Sequence, residues 1–135
     1  MKIRQIKFNG DQIKIVYQVS KHNGDDKHLL ESKEPPRSEF HVAFAGLGDI
    51  AKSITDIDAE PVQVNFCHDE EGICTFQIVG FKTAKAPHLG YIDIKTPEVN
   101  ADAISPAEFA IIEGIEHEAK EYINGNRAQL NLIFQ

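Results

Sequence analysis

Two cysteines in 135 residues, Cys67 and Cys74, are too few for a disulfide framework. No apolar run approaches the roughly 20 residues that cross a bilayer. The opening MKIRQIKF carries a charge every few residues where a signal peptide would have its apolar stretch. A cytoplasmic protein of a bacterial host, with no membrane partner, is therefore expected. The short motifs of nucleotide and acyl chemistry are also missing: there is no P-loop, no G-x-S-x-G and no H-E-x-x-H. The six histidines are scattered and belong to no nucleophile motif. No catalytic residue and no cofactor are assigned, and the chain is expected not to be an enzyme.

Basic charge is short in one half. The net charge is −7, but residues 1–57 carry nine Lys/Arg against eight Asp/Glu, and residues 58–135 carry five against thirteen. The acidic half repels phosphate, so any attraction to nucleic acid must come from a local basic patch.

What the chain does have is amphipathic pattern. Over residues 38–57, Phe40, Phe44, Leu47, Ile50, Ala51 and Ile54 recur at the spacing of one helix face. Ser38 is placed to cap that helix after Pro35 and Pro36. Gly46 and Gly48 lie inside it, for close packing or as an irregularity. A second helix starts at Ser105-Pro106-Ala107-Glu108, a serine cap with proline first and glutamate third. It ends at Asn124-Gly125. Its stripe of Ile111, Ile112, Ile115, Ala119, Tyr122 and Ile123 is expected to be buried. Both helices need a sheet to lie on.

Strand signals supply one. Residues 2–8 and 12–19 read as a hairpin around Asn9-Gly10, with a type I′ turn setting Ile6 opposite Ile13 and Ile3 opposite Val16. A loop at residues 22–26 leads to a weaker strand at 27–32. Alternating Val62, Val64, Phe66 and Cys74, Phe76, Ile78 read as two strands joined by a longer loop at 68–72. Residues 80–90 read as an exposed loop, and 91–94 as a sixth strand. Residues 97–103 read as a connection. The fold class is α+β: one mostly antiparallel sheet of six to seven strands, with two amphipathic helices packed on one face. The order suggests a βββα-βββα pseudo-repeat in a single domain of 1–135. One half is 1–57, the other is 58–125, and 126–135 is a C-terminal strand or docking tail.

Three side-chain groups carry functional expectations. Ile3 and Val16, with the tail residues Leu130, Leu132 and Phe134, form a candidate partner surface for a homo-oligomer. Lys7, Lys14, Phe81, Lys82 and Lys85 combine cations with an aromatic face, the ingredients of a nucleic-acid contact. Glu113, Glu116, Glu118 and Glu121 form an acidic helix face that could mimic phosphates. Cys67, His68 and Cys74 provide fewer donors than a structural zinc site uses, so no metal is assigned. His68-Asp69-Glu70-Glu71 lacks the alternating ligands of a calcium loop and reads as a solvated turn.

The stretches MKIRQIKFNGDQIKIVYQV, LLESKEPPRSEF and EAKEYINGNRAQLNLIF resemble small proteins encoded by bacteriophages and prophages of gut bacteria. The resemblance covers both ends of the chain and includes no motif of known chemistry. It implies a cytoplasmic phage product from an early or DNA-metabolism gene cluster. The expected function is that of a non-enzymatic accessory protein that binds host or phage macromolecules, as a homo-oligomer. The rival expectations are a DNA-associated factor, either a single-strand binder or a clamp-like ring, and an acidic inhibitor of a host DNA-binding enzyme.

Overall fold

The chain builds outward from two strands in the middle of one sheet. In the computed structural model, which describes residues 1–128, the spatial order is β3-β2-β1-β4-β5-β6. β1 (Lys2–Phe8), β2 (Ile13–Lys21) and β3 (Gly24–Ser32) step outward on one side. β4 (Glu60–Asp69), β5 (Gly72–Thr83) and β6 (Tyr91–Lys95) step outward on the other. A two-residue strand, β7 (Val99–Asn100), also pairs with β5. Every pairing is antiparallel, and β1 meets β4 at the centre. The helices α1 (Ser38–Thr55) and α2 (Pro106–Ile123) each follow one set of three strands. The α+β architecture expected from the pattern is the one observed.

The hairpin register differs from the expected one. Phe8 pairs with Ile13 and Ile6 with Ile15, so four residues make the connection instead of two. The Asn9 side chain is the reason. Its Oδ1 accepts the backbone N–H groups of Asp11 and Gln12, both at 2.9 Å, which makes the turn from a side chain. Gly10 alone is left-handed there, at φ 96°, whereas a type I′ turn needs two such residues. The slip is by two residues, an even number, so the faces are preserved. Ile6, Phe8, Ile13 and Ile15 are all buried.

Ile3 lies on the core side of the sheet, not on the expected exposed side. A bulge between Ile3 and Gln5 puts Ile3 opposite Tyr17 and turns it into the core, where it is fully buried. It therefore forms no part of an exposed partner surface. Gln5 takes its place opposite Val16.

Other loops are shorter than expected. Only His22 and Asn23 separate β2 from β3, and only Glu70 and Glu71 separate β4 from β5. In the second turn Asp69 Oδ1 accepts the Glu71 N–H at 2.8 Å. The expected loop at 80–90 starts later, because β5 runs through Thr83. What remains is closed by a bond from the Ala84 N–H to the Gly90 carbonyl at 3.0 Å. The connection at 97–103 contains β7 and a short 3-10 turn.

In α1 the cap position is Arg37, and Ser38 is the first helical residue. The helix ends on Asp56, which is left-handed at φ 60°. Its glycines mark close approaches: a Cβ on Gly46 would stand 2.9 Å from an Ile111 methyl, and one on Gly48 3.2 Å from the Ala59 carbonyl. For α2, Ser105 accepts the Glu108 N–H and Glu108 accepts the Ser105 N–H, the reciprocal cap expected.

Phe40, Phe44, Leu47 and Ile50 of α1 join Ile112, Ile115, Ala119 and Tyr122 of α2 above Val64, Phe66, Phe76 and Ile78. Phe8, Phe40 and Phe44 meet edge-on or stacked within 6 Å. Beyond α2 the chain returns to the entry of α1. Arg127 bridges Pro36, and the Ala128 N–H bonds the Pro35 carbonyl at 3.0 Å. The expected strand or tail residues Leu130, Leu132 and Phe134 lie outside the described residues. No helix among the described residues is long and apolar enough to cross a membrane.

Candidate binding face of the sheet

Both helices cover the same side of the sheet. The other side is built from the strand residues that alternate with the core. Cross-strand pairing arranges them in rows. One row runs Glu31, Lys14, Lys7, Gln63, Val79, Lys95 through six strands. The next runs Leu29, Val16, Gln5, Asn65, Gln77. None of these side chains is buried, whereas their sequence neighbours Ile6, Ile13, Ile15, Val64 and Ile78 are.

The centre of this face is an amide network. Asn65 Oδ1 accepts from Gln5 Nε2 at 3.0 Å and from Gln63 Nε2 at 2.9 Å. Asn65 Nδ2 donates to Gln77 Oε1 at 3.4 Å, and Gln77 Nε2 donates to the Thr96 carbonyl at 3.0 Å. Thr96 is itself buried and fixed, accepting the Ile78 N–H and donating to the Pro97 carbonyl. The chain of bonds holds neutral polar groups in defined orientations across β1, β4 and β5.

Lysines stand beside the network. Lys7 and Lys14 are directly opposite on β1 and β2, an arrangement of like charges that is unfavourable in a sheet. Among the described residues no carboxylate oxygen lies within 4 Å of either ammonium. They border a shallow hollow of about 410 Å³ with Asn9, Gln12, Glu31 and Gln63. At the other end of the face, Phe81 packs edge-on against Tyr91 at 5.0 Å, and Tyr91 is 71% exposed. The carboxylates of this face include Glu31, Glu60 and Asp93, with Asp25 at the far end of β3.

Of the expected nucleic-acid contacts, the structure brings Lys7, Lys14 and Phe81 to this one face. Lys82 pairs with Ile92 and follows Phe81, so it emerges on the opposite side. Lys85 is exposed in the β5–β6 connection, off the rows. Val16 is half-buried on the face beside Leu29, which is 56% exposed.

The expected acidic mimic face does not hold together. Glu118 is buried and forms a bidentate pair with Arg37, with Nε and Nη2 each 2.7 Å from a carboxylate oxygen. That bond is the main reason the Arg37 guanidinium is held above its ordinary pKa. Glu116 is turned to His68, with Nε2 and Oε2 2.6 Å apart and the His68 side chain 4% exposed. Glu121 is engaged by Asn126 and by His117. Only Glu113 is fully displayed. The helix period marks a wet stripe, but position 118 borders it and falls against Arg37, 81 positions away, a pairing no local pattern reveals.

Sequence reasoning also missed the amide network. A signal was present: Gln5, Gln63, Asn65 and Gln77 each precede a buried apolar residue in a strand. The outward positions of three neighbouring strands are thus filled with amides.

Cys67 and Cys74 are free thiols, and the described residues contain no group of three or more His, Cys, Asp or Glu able to hold a metal ion. Compared with protein-family models, with curated proteins and with solved structures, the chain matches none.

Proposed function

We propose that this is a non-enzymatic accessory protein that acts by binding a macromolecule through the open face of its sheet, and that it works as a homo-oligomer. The observation that carries the reading is the face itself. Two helices protect one side, and the other displays a row of lysines, an ordered amide network and an aromatic pair. A broad open surface of mixed character suits a macromolecular partner. The resemblance to phage products supports the cytoplasmic setting and a partner from the host or the phage. The homo-oligomer rests on the apolar residues of the chain end, Leu130, Leu132 and Phe134.

Capture from bacterial lysate tests the face. The full chain and a Val16→Asp/Val79→Asp variant are immobilised, with and without nuclease treatment of the lysate. The wild type is expected to retain macromolecules that the variant loses. Identical retention by both would remove the sheet face from the function. Light scattering after size exclusion tests the assembly, comparing the full chain with one ending at Arg127. A monomer mass for both would end the oligomer reading.

A further inference from the structure

We infer that the partner of the open sheet face is a single-stranded nucleic acid. Its phosphates would be met by Lys7 and Lys14, and its bases would be laid on the amide network and Tyr91. The inference rests on the sheet-face reading above and names its ligand.

Three observations point to the same chemistry. Lys7 and Lys14 repel each other across a strand pair and have no carboxylate within 4 Å among the described residues. An anion between them removes that repulsion; the hollow they border also has Glu31, the cross-strand partner of Lys14, on its wall, so the anion is received on the Lys7 side. The amide network presents donors and acceptors of fixed direction beside those lysines. Amides of Asn and Gln suit the edges of unpaired bases. Tyr91 is mostly exposed and braced edge-on by Phe81, a site on which a base can stack. From β1 to β6 is three strand spacings, about 14 Å, and Tyr91 lies four residues along β6 from the lysine row, about 13 Å more, so a strand of several nucleotides reaches from the lysines to the aromatic pair.

A duplex fits less well. Its bases are turned inward, away from amides and rings, and Glu31, Glu60 and Asp93 limit the positive charge this face can present to two strands of phosphate. An acidic protein would use the lysines, but an exposed ring and in-plane amide edges match unpaired bases more closely than they match carboxylates.

The test is fluorescence anisotropy with labelled oligothymidylate and oligouridylate, each about 12 nucleotides long, a length within the range of single-strand site sizes. The full chain is titrated at low salt and at rising salt. Both oligomers are expected to bind, with a weakening on added salt. Lys7→Gln/Lys14→Gln is expected to weaken binding about tenfold and to flatten the log–log salt slope by about 1.4, two phosphate contacts at 0.7 each. Tyr91→Ala is expected to weaken binding about tenfold while leaving the salt slope unchanged, because stacking releases no counterion. Glu113→Gln, away from the face, is the control and is expected to leave binding as it was. Far-UV circular dichroism checks that each variant is folded.

Absence of binding to both oligomers at low salt overturns the inference. So does binding that ignores both the lysine and the Tyr91 substitutions. If the oligomers fail but nuclease-resistant capture still depends on Val16 and Val79, the ligand is a protein and only this inference falls. If that capture also fails, the sheet-face reading falls with it.

Discussion

Glu108 shows how one side chain can serve two elements. It closes the cap of α2 and also reaches α1, where Ser53 Oγ donates to its Oε2 at 2.7 Å. The Ser53 hydroxyl also lies 2.8 Å from the Ile50 carbonyl, but it has one proton, and the charged acceptor gives the stronger bond. The Ser53 bond first, and the Ser105 N–H second, hold the Glu108 carboxyl below its ordinary value of 4.5. A depressed folded-state pKa contributes stability that is complete above the unfolded value and is lost as pH falls through the folded one. Stability is therefore expected to fall with acid below about pH 4.5, in part through this group. Glu108→Gln is expected to be less stable than wild type near neutrality and to show a shallower acid dependence. Urea midpoints measured across that range check it; parallel curves for the two proteins would show that Glu108 contributes nothing to the slope.

At the scale of the element, glycines separate what the pattern specifies from what packing specifies. Gly114 sits inside α2 with nothing within 4 Å of where a Cβ would stand. Gly114→Ala is expected to stabilise the protein by about 0.5–1 kcal/mol, through helix propensity alone. Gly80 is the opposite case. A Cβ there would lie 2.5 Å from the Glu60 carbonyl oxygen, where β4 bulges between Pro61 and Gln63. Gly80→Ala is expected to destabilise by about 1–3 kcal/mol, since backbone must move. Chemical denaturation of both variants checks the pair of signs. The same contrast explains how far the fold was legible. Helix periods, the cap at Ser105 and strand alternation are local signals, and they located all the main elements. Turn lengths depended on whether Asn9 and Asp69 folded back on their own backbone, which residue type alone does not decide. The bulge between Ile3 and Gln5 breaks the period of two, so alternation assigned Ile3 to the wrong side.

Across the whole molecule, a few long-range bonds fasten the end of α2 to the entry of α1. The Tyr122 hydroxyl donates to the Glu34 carbonyl at 2.6 Å. The Arg127 guanidinium lies over the Tyr122 ring at 4.2 Å and also pairs with Glu34. Arg37 and Glu118 complete the clasp. Tyr122→Phe keeps the packing and removes the bond, so it is expected to cost about 1 kcal/mol. Equilibrium urea unfolding reads that difference, and an unchanged midpoint would mean that water replaces the tyrosine at no loss. The candidate site was legible only in part, for the same reason that the clasp was not. Lys7, Lys14 and Phe81 could be named from residue type, but their meeting on one face is a product of the strand order. Glu118 looked available until the partner 81 positions away was in place.

The position of the two helices has an electrical consequence. α2 carries five glutamates and one lysine on one side of the sheet, whereas on the other the three lysines of one row stand among Glu31, Glu60 and Asp93, so the helix layer is negative and the strand face close to neutral. Charge separated in this way is a permanent dipole pointing from the helix layer to the strands. A polyanion some distance away exerts a torque on that dipole and turns the lysine row toward itself before any contact is made. The molecule would then arrive at such a partner already the right way round, and this advantage would fade as salt shortens the reach of the field.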